Sequence, residues 1–438
     1  MKARDRWIAW CAFVVLAIAV AFLGYGPQRS DSALLLGGYA IGFVAFLLFA
    51  SRSGGFDHRS LFMLAIALRV LLLFAPISWT DDHFRYWWDG VCTVNGISPF
   101  AYTPRELLAV QPELFTHAHL ALLNSPDFHT AYPPLAQGAF ALAAWSGGTD
   151  PETWVLGMRV IILLCEILSV WLLLKLMRGS AKGMNAVALY AFNPLVLLEL
   201  TVNLHTEALI IPLCLSAVLL VRNDRLWAVG LLIGLAMAVR LSPVVFLLAL
   251  PAVVGLKRSV MPAMIAVSVF ALSWLPFWST ELIPNILSSL KLFSSYLEFN
   301  GGLFELLRRA LGDGMVKGTG LLGVLAVIAL LAYALIRWRR GDLKLEEGML
   351  WTLAIVLFGS QVVHPWYITP LIAFAVLTRW RWPLWWSALI IPTYLTYGAE
   401  PFAQPYWWVA IEYTLLAAII LYELRMGSAI RGTVPAKV

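Results

Sequence analysis

Between residues 154 and 278 six apolar runs follow one another, at roughly 154–176, 183–199, 206–221, 226–239, 243–256 and 259–278, parted only by short polar links. Runs of this density read as helices, because a helix satisfies its backbone hydrogen bonds within itself and is therefore tolerated by a bilayer. Eight more runs lie outside this block, near 8–27, 34–50, 60–78, 318–336, 348–363, 366–378, 383–398 and 405–423. Several are shorter than the about 17 residues a full span needs. The stretches 226–256 and 348–378 therefore read as broken or partly re-entrant helices, and eleven to fourteen spans are expected. The chain is 61% hydrophobic and 13% charged, where a soluble domain carries about 25% charged residues. The expected fold class is an all-α polytopic membrane protein, with residues 1–438 forming a single integral membrane domain and no separable soluble unit.

The basic residues set the orientation. With the N-terminus in the cytoplasm, 21 of the 31 Lys and Arg fall in cytoplasmic stretches, and eight (Arg29, Arg85, Arg105, Arg240, Lys291, Arg308, Arg309 and Lys317) fall opposite. That bias follows the positive-inside rule and places both termini on the cytoplasmic side of the inner membrane. The net charge of +6 thus reads as topology, and no nucleic-acid partner is expected. Arg69 and Arg159 remain inside apolar runs. The basic start followed by residues 11–23 ends in Gly-Tyr-Gly-Pro, without a small-residue cleavage pattern, and reads as a retained first helix. Cys11, Cys92, Cys165 and Cys214 form no CxxC pair, so neither a disulfide framework nor a metal site is expected.

Two polar segments then share the outer side, 79–153 and 279–317. The first far exceeds the about 4 to 6 residues of an ordinary connection. Its prolines divide it into short helices along the membrane surface, the stretch Leu107 to Leu122 being the best candidate.

The residues with chemical potential collect on that side. Asp81 and Asp82 follow the third apolar run, with Arg85, Tyr86 and Asp89 close behind. On a helix, Asp82, Arg85 and Asp89 lie three and four apart, forming one acid-guanidinium-acid row. Adjacent carboxylates repel, which tends to raise one pKa and leave a base; the plainer reading is a helix end with an Arg85 ion pair. Glu199, His205 and Glu207 lie where two spans meet, as sugar-binding groups or as ordinary interhelix bonds. Arg240 sits at the mouth of a broken hairpin, where it must find an acid or an anion; a phosphate suits its fork, and snorkelling to lipid is the rival. His364-Pro365-Trp366-Tyr367 joins another short pair, as a headgroup-recognition element or part of an aromatic belt. Tyr132-Pro133-Pro134 and Gln137 stiffen the entry to the next run, lining a pocket or merely shaping the chain. Phosphate-binding glycine loops, HExxH, zinc spacings and GxSxG are all absent from the sequence.

Read in order, Asp81-Asp82-His83-Phe84-Arg85-Tyr86-Trp87-Trp88-Asp89-Gly90, then Asn95-Gly96-Ile97-Ser98-Pro99-Phe100, then Tyr132-Pro133-Pro134-Leu135-Ala136-Gln137, resemble the first outer loop of bacterial GT-C membrane glycosyltransferases. The nearest likeness is to polyprenyl-phosphate-mannose-dependent mannosyltransferase-like proteins. Asn193-Pro194-Leu195 with Glu199 and His205, Gly234-Leu235-Ala236 leading to Arg240-Leu241-Ser242-Pro243, and His364-Pro365-Trp366-Tyr367 extend it over roughly residues 80–370. The chain departs from the pattern at His205-Thr206-Glu207, where the family turn reads His-Asn-Asp, and at Phe128-His129-Thr130-Ala131.

The resemblance implies an inverting enzyme that takes a sugar, mannose or another hexose or pentose, from a polyprenyl-phosphate sugar at the periplasmic or extracellular face. The acceptor would be a lipid or a glycan, with membrane lipids as surroundings and neither a cofactor nor a metal required. The family's loop-one base carries over to Asp81 or Asp82. Donor phosphate contacts fall to Arg240, Arg85 and His364. Tyr86, Asp89, Tyr132, Gln137, Glu199, His205, Glu207, Trp366 and Tyr367 complete the expected pocket. The competing class is a transporter or flippase of lipid-linked sugars, for which Arg69 and Arg159 would line a path.

Overall fold

The computed structural model describes residues 3–432 apart from 148–149, 181–182, 296, 319 and 399–402; Lys2, Lys182 and Lys437 of the charge pattern lie outside the described residues. Among the described residues six helices are long and apolar enough to cross a membrane: Arg4–Tyr25, Ser32–Gly55, Pro151–Leu176, Leu256–Phe277, Leu321–Arg340 and Tyr406–Met426. A seventh arises if Gly183–Ala191 and Pro194–Val202, bent by 41° at their break, are one span. The other apolar runs form shorter helices, among them Leu226–Val239, Ser242–Val254 and Pro365–Leu377. A count of eleven to fourteen includes these shorter helices. Leu226–Val239 and Thr369–Leu377 are buried among other helices, so protein replaces lipid around them and their length need not match the bilayer.

Each break has a local reason. Pro194 disfavours a helical residue before it, and Asn193 is extended there, its side chain accepting from Leu195 N. The chain then widens into an i→i+5 turn over Leu197–Val202, closed by Asn203 N donating to Leu198 O at 2.9 Å. Such turns recur at functional sites. Leu204 follows with φ +62°, an uncommon conformation for a bulky side chain. Arg240 leaves Leu226–Val239 in an extended conformation before a 3₁₀ segment, Ser242–Ala249.

The first polar segment holds Asp82–Val94, Pro104–Val110, His117–Ala121 and Pro134–Gly147. The single surface helix expected over Leu107 to Leu122 is instead two, each opened by a threonine cap, Thr103 and Thr116. Pro112 explains the split, since it cannot donate to the helix and drives Gln111 out of it.

Close backbone contact fixes the helices around the site. A Cβ on Gly90 would stand 2.3 Å from Phe140 O, so Asp82–Val94 lies directly on Pro134–Gly147. A Cβ on Gly234 would stand 2.6 Å from Ala266 O, so Leu226–Val239 lies as closely on Leu256–Ser273.

The two intramembrane arginines are bound to protein. Arg69 reaches Glu166 at 2.7 Å and the Ala191 carbonyl at 2.9 Å, while Tyr190 donates to the other Glu166 oxygen at 2.6 Å. Arg159 donates to the carbonyls of Leu73, Thr201 and Val202 at 2.8, 3.1 and 2.9 Å. It therefore caps the wide turn that no regular helix end could satisfy.

Candidate active site

Four chain segments meet at one end of the bundle: the start of Asp82–Val94, the loop Asn203–Thr206, the residue Arg240, and the loop before Pro365–Ile368. Asp82 and Arg240 both act electrostatically on Tyr86, Tyr132, Tyr367, His205 and Glu207. An acid and a guanidinium thus share one ring of polar side chains.

The two adjacent aspartates have different surroundings. Asp81 accepts from Arg29 Nη2 at 2.6 Å, and that guanidinium stands 4.6 Å from the Tyr397 ring centroid. Among the described residues Asp82 accepts only the Asn124 amide, at 3.0 Å, its own backbone N–H being held by Thr80 Oγ1 at 3.2 Å. Sequence reasoning missed Arg29 and Asn124. For Arg29 a signal existed, a lone outer-side arginine of the same kind as Arg240; for Asn124 there was none.

Arg85 does not join Asp82. Its Nε donates to Asp89 at 2.8 Å and its Nη1 to the Phe128 carbonyl at 2.8 Å, and both side chains are buried. Gln137 closes the group by donating to Asp89, Thr130 Oγ1 and the Tyr132 carbonyl, each at 3.1 Å. The row expected on one helix face is therefore split: Arg85, Asp89 and Gln137 hold the polar segment to the helix, and Asp82 stands apart. Tyr86 stacks on Phe140 at 4.6 Å and meets Tyr132 edge-on at 4.9 Å.

Arg240 pairs with buried Glu207 and lies 4.5 Å from the Tyr367 ring centroid. A guanidinium carries five donors, so this pair leaves it free to bind a further anion. Glu199 accepts from the Tyr394 hydroxyl at 2.6 Å and the Asn203 amide at 3.2 Å. His205 Nε2 lies 3.3 Å from Glu199 Oε2 but makes no hydrogen bond there, the alignment being poor. His205, Trp366 and His364 form one stack, with centroids 3.7 and 4.3 Å apart and planes within 9° and 3° of parallel. Phe299 continues it at 4.6 Å. The Phe299 carbonyl accepts from Val363 N at 2.7 Å, so the second polar segment backs the His364 loop.

A cluster of unsatisfied polar atoms marks this region. His83 Nδ1, Asn203 Oδ1, both nitrogens of His205, Thr206 Oγ1, Glu207 Oε2 and His364 Nδ1 are buried without a hydrogen-bond partner. Buried polar groups are nearly always bonded, and so many orphans on converging loops fit a place filled by a polar ligand and water. Burial drives His83 down to about 4 against the opposing pull of Asp81, so its imidazole is neutral near pH 7. Among the described residues no three His, Cys, Asp or Glu gather as a metal site would require.

A family model described as alpha-(1->6)-mannopyranosyltransferase, N-terminal domain, matches residues 7–256. A polyprenol-phosphate-mannose-dependent alpha-(1-2)-phosphatidylinositol mannoside mannosyltransferase of Mycolicibacterium smegmatis is 29% identical over 292 residues, 60% of this chain and 65% of that protein. The chain therefore spans just under two thirds of that relative's length. Alpha-(1->6)-mannopyranosyltransferase A of Mycobacterium tuberculosis is 22% identical over 410 residues, 84% of this chain and 76% of that protein. No solved structure matches.

Proposed function

Because the chain belongs to the alpha-(1->6)-mannopyranosyltransferase family, we propose that it is a membrane glycosyltransferase that moves a mannosyl or related sugar from a polyprenyl-phosphate donor to a hydroxyl of a lipid or glycan acceptor. The topology that goes with this reading places both termini in the cytoplasm. The segments 79–153 and 279–317 then face the periplasm or exterior, as parts of one membrane domain.

The observation that carries the reading is the shared field of Asp82 and Arg240 over a ring of orphaned polar groups. Asp82 is the base. Among the described residues its carboxylate is engaged by one neutral amide, whereas that of Asp81 is already occupied in an ion pair with Arg29. Asp82 takes the proton from the acceptor hydroxyl as that oxygen attacks the anomeric carbon. The bond from that carbon to the phosphate oxygen breaks on the opposite face, and polyprenyl phosphate leaves with the electron pair, inverting the centre. Arg240, oriented by Glu207 and Tyr367, meets the charge that grows on the phosphate. His364 adds a contact on the same side. The unsatisfied groups of His205, Thr206 and Glu207 take sugar or acceptor hydroxyls, with Tyr86, Tyr132, Trp366 and Tyr367 as walls. Arg85, Asp89, Gln137 and Glu199 act by holding these elements in place.

The test is reconstitution of the purified chain in proteoliposomes with polyprenyl-phosphate mannose, glucose and arabinose, and mass analysis of the lipid and glycan products. A product heavier by one sugar unit supports the reading. Movement of the donor across the bilayer with no such product refutes it in favour of a transporter.

A further inference from the structure

A cavity of about 510 Å³ lies far from this site, at the opposite end of the same helices. Glu207 begins the helix that Arg222 ends, which puts the two residues about 22 Å apart at 1.5 Å per residue. Leu226–Val239 likewise runs from the cavity end towards Arg240, and Leu345–Phe358 starts at the cavity wall.

The cavity has an apolar wall and a basic mouth. Val221, Val253, Val254, Leu343 and Leu345 form the wall with buried Glu346, while Arg222, Arg258 and Lys344 stand with Asp224 on the exposed side. Arg222 pairs with Glu346 at 2.7 Å and Arg258 pairs with Asp224, while Lys344 is exposed and has no ion partner among the described residues. Three cations thus face two carboxylates, and each guanidinium pair leaves donors unused.

Two candidate spans fix the level of this mouth in the bilayer. Leu256–Phe277 begins two residues before Arg258, and Leu321–Arg340 ends three residues before Leu343. Only 11% and 17% of these spans is covered by protein, which leaves both open to acyl chains. The cavity therefore opens where the phosphates of that leaflet sit.

We infer that this cavity binds the headgroup of an anionic phospholipid. The phosphate lies between Lys344 and Arg258, and the first methylenes of the chains lie on the Val253–Val254 wall. The site is distinct from the transfer chemistry and does not depend on it.

The full chain is purified, stripped of lipid, offered phosphatidylglycerol, phosphatidylcholine or glycerol 3-phosphate, and the bound molecules are counted by native mass spectrometry. Phosphatidylglycerol is expected to be retained at least fivefold over phosphatidylcholine, since each basic residue near a membrane contributes about a fivefold attraction for anionic lipid. Lys344→Glu removes that preference, and because Lys344 is exposed and unpaired the variant folds. Val254→Trp fills the wall without changing charge and lowers retention of phosphatidylglycerol as well. Lys257→Glu, an exposed neighbour outside the cavity, weakens only the general attraction to an anionic surface and lowers retention less than Lys344→Glu does. Unchanged retention in both cavity variants overturns the inference, as does an equal loss in Lys257→Glu. Displacement of phosphatidylglycerol by glycerol 3-phosphate at equal concentration overturns the assignment to a lipid in favour of a soluble phosphate.

Discussion

Replacing Asp82 and Asp81 separately by asparagine separates the base from its neighbour. Each change keeps the side-chain shape and removes one negative charge. At Asp82 the Asn124 contact at 3.0 Å survives in altered polarity, so the fold should hold within about 1 kcal/mol. The chemical loss is much larger. A positioned general base contributes about 10²–10⁴ in rate, which is about 3–5 kcal/mol of activation free energy. At Asp81 the lost partner is Arg29, and the pair is partly exposed, with 31% and 39% of the two side chains accessible. Such a pair is worth about 0–1 kcal/mol, so Asp81→Asn should slow transfer less than about fivefold. The assay is initial transfer of labelled sugar in proteoliposomes at saturating donor, with thermal unfolding followed in parallel. Asp82→Asn at more than a tenth of the wild-type rate, or Asp81→Asn as damaged as Asp82→Asn, refutes the assignment.

Arg240→Gln should lower turnover about 10²–10³-fold, the cost of losing a donor aimed at developing charge. It also leaves Glu207 buried beside a neutral group, so Arg240→Gln with Glu207→Gln should recover stability in unfolding assays without recovering rate. A double variant that regains full activity would show that Arg240 serves only the ion pair. The pH dependence of stability should carry a His83 component. With a folded pKa of about 4, below the about 6.5 of an unfolded histidine, the unfolded chain binds more protons between those values. Stability is therefore full above pH 6.5 and is lost as the pH falls towards 4, by about 3 kcal/mol at most. His83→Gln should flatten that part of the curve in thermal unfolding from pH 7 to 4.5, and an identical slope would refute it.

The membrane class was legible because it rests on bulk composition, and the polar residues that meet at the site were legible because charged and polar groups between apolar runs show in short segments. Arg240 stood out for the same reason, as a cation between two short apolar runs. What stayed hidden depends on pairing across long chain separations. Nothing local links Glu199 to Tyr394 or Arg29 to Asp81. The Asp82, Arg85, Asp89 row was a correct helical spacing, and the carbonyls of Phe128 and Ser125 decided it otherwise by drawing Arg85 towards Asp89. The short apolar helices are wrapped by protein, and hydropathy does not distinguish a protein neighbour from a lipid one.

Arg159 shows how the buried charges serve the site without touching it. Its guanidinium holds the Leu73 carbonyl, nine residues before Asp82, to the Thr201 and Val202 carbonyls, just before His205. One side chain thus sets the separation of two of the four segments that meet at the site. Lysine keeps the charge but offers a point cation without the planar fork, so it cannot serve three carbonyls in that arrangement. Each charge-assisted bond contributes about 1.5–3 kcal/mol. Arg159→Lys should therefore lose about one to two such bonds, destabilise the fold by a few kcal/mol, and let the wide turn relax. A shift of about 1 Å in a catalytic array costs about 10²-fold in rate. The expected signature is a fall in kcat larger than the rise in KM, measured below the unfolding temperature, because the donor contacts at Arg240 remain while their alignment with Asp82 is lost. Arg159→Lys with normal kcat and lowered thermal stability would reduce Arg159 to a purely structural cap and refute the coupling.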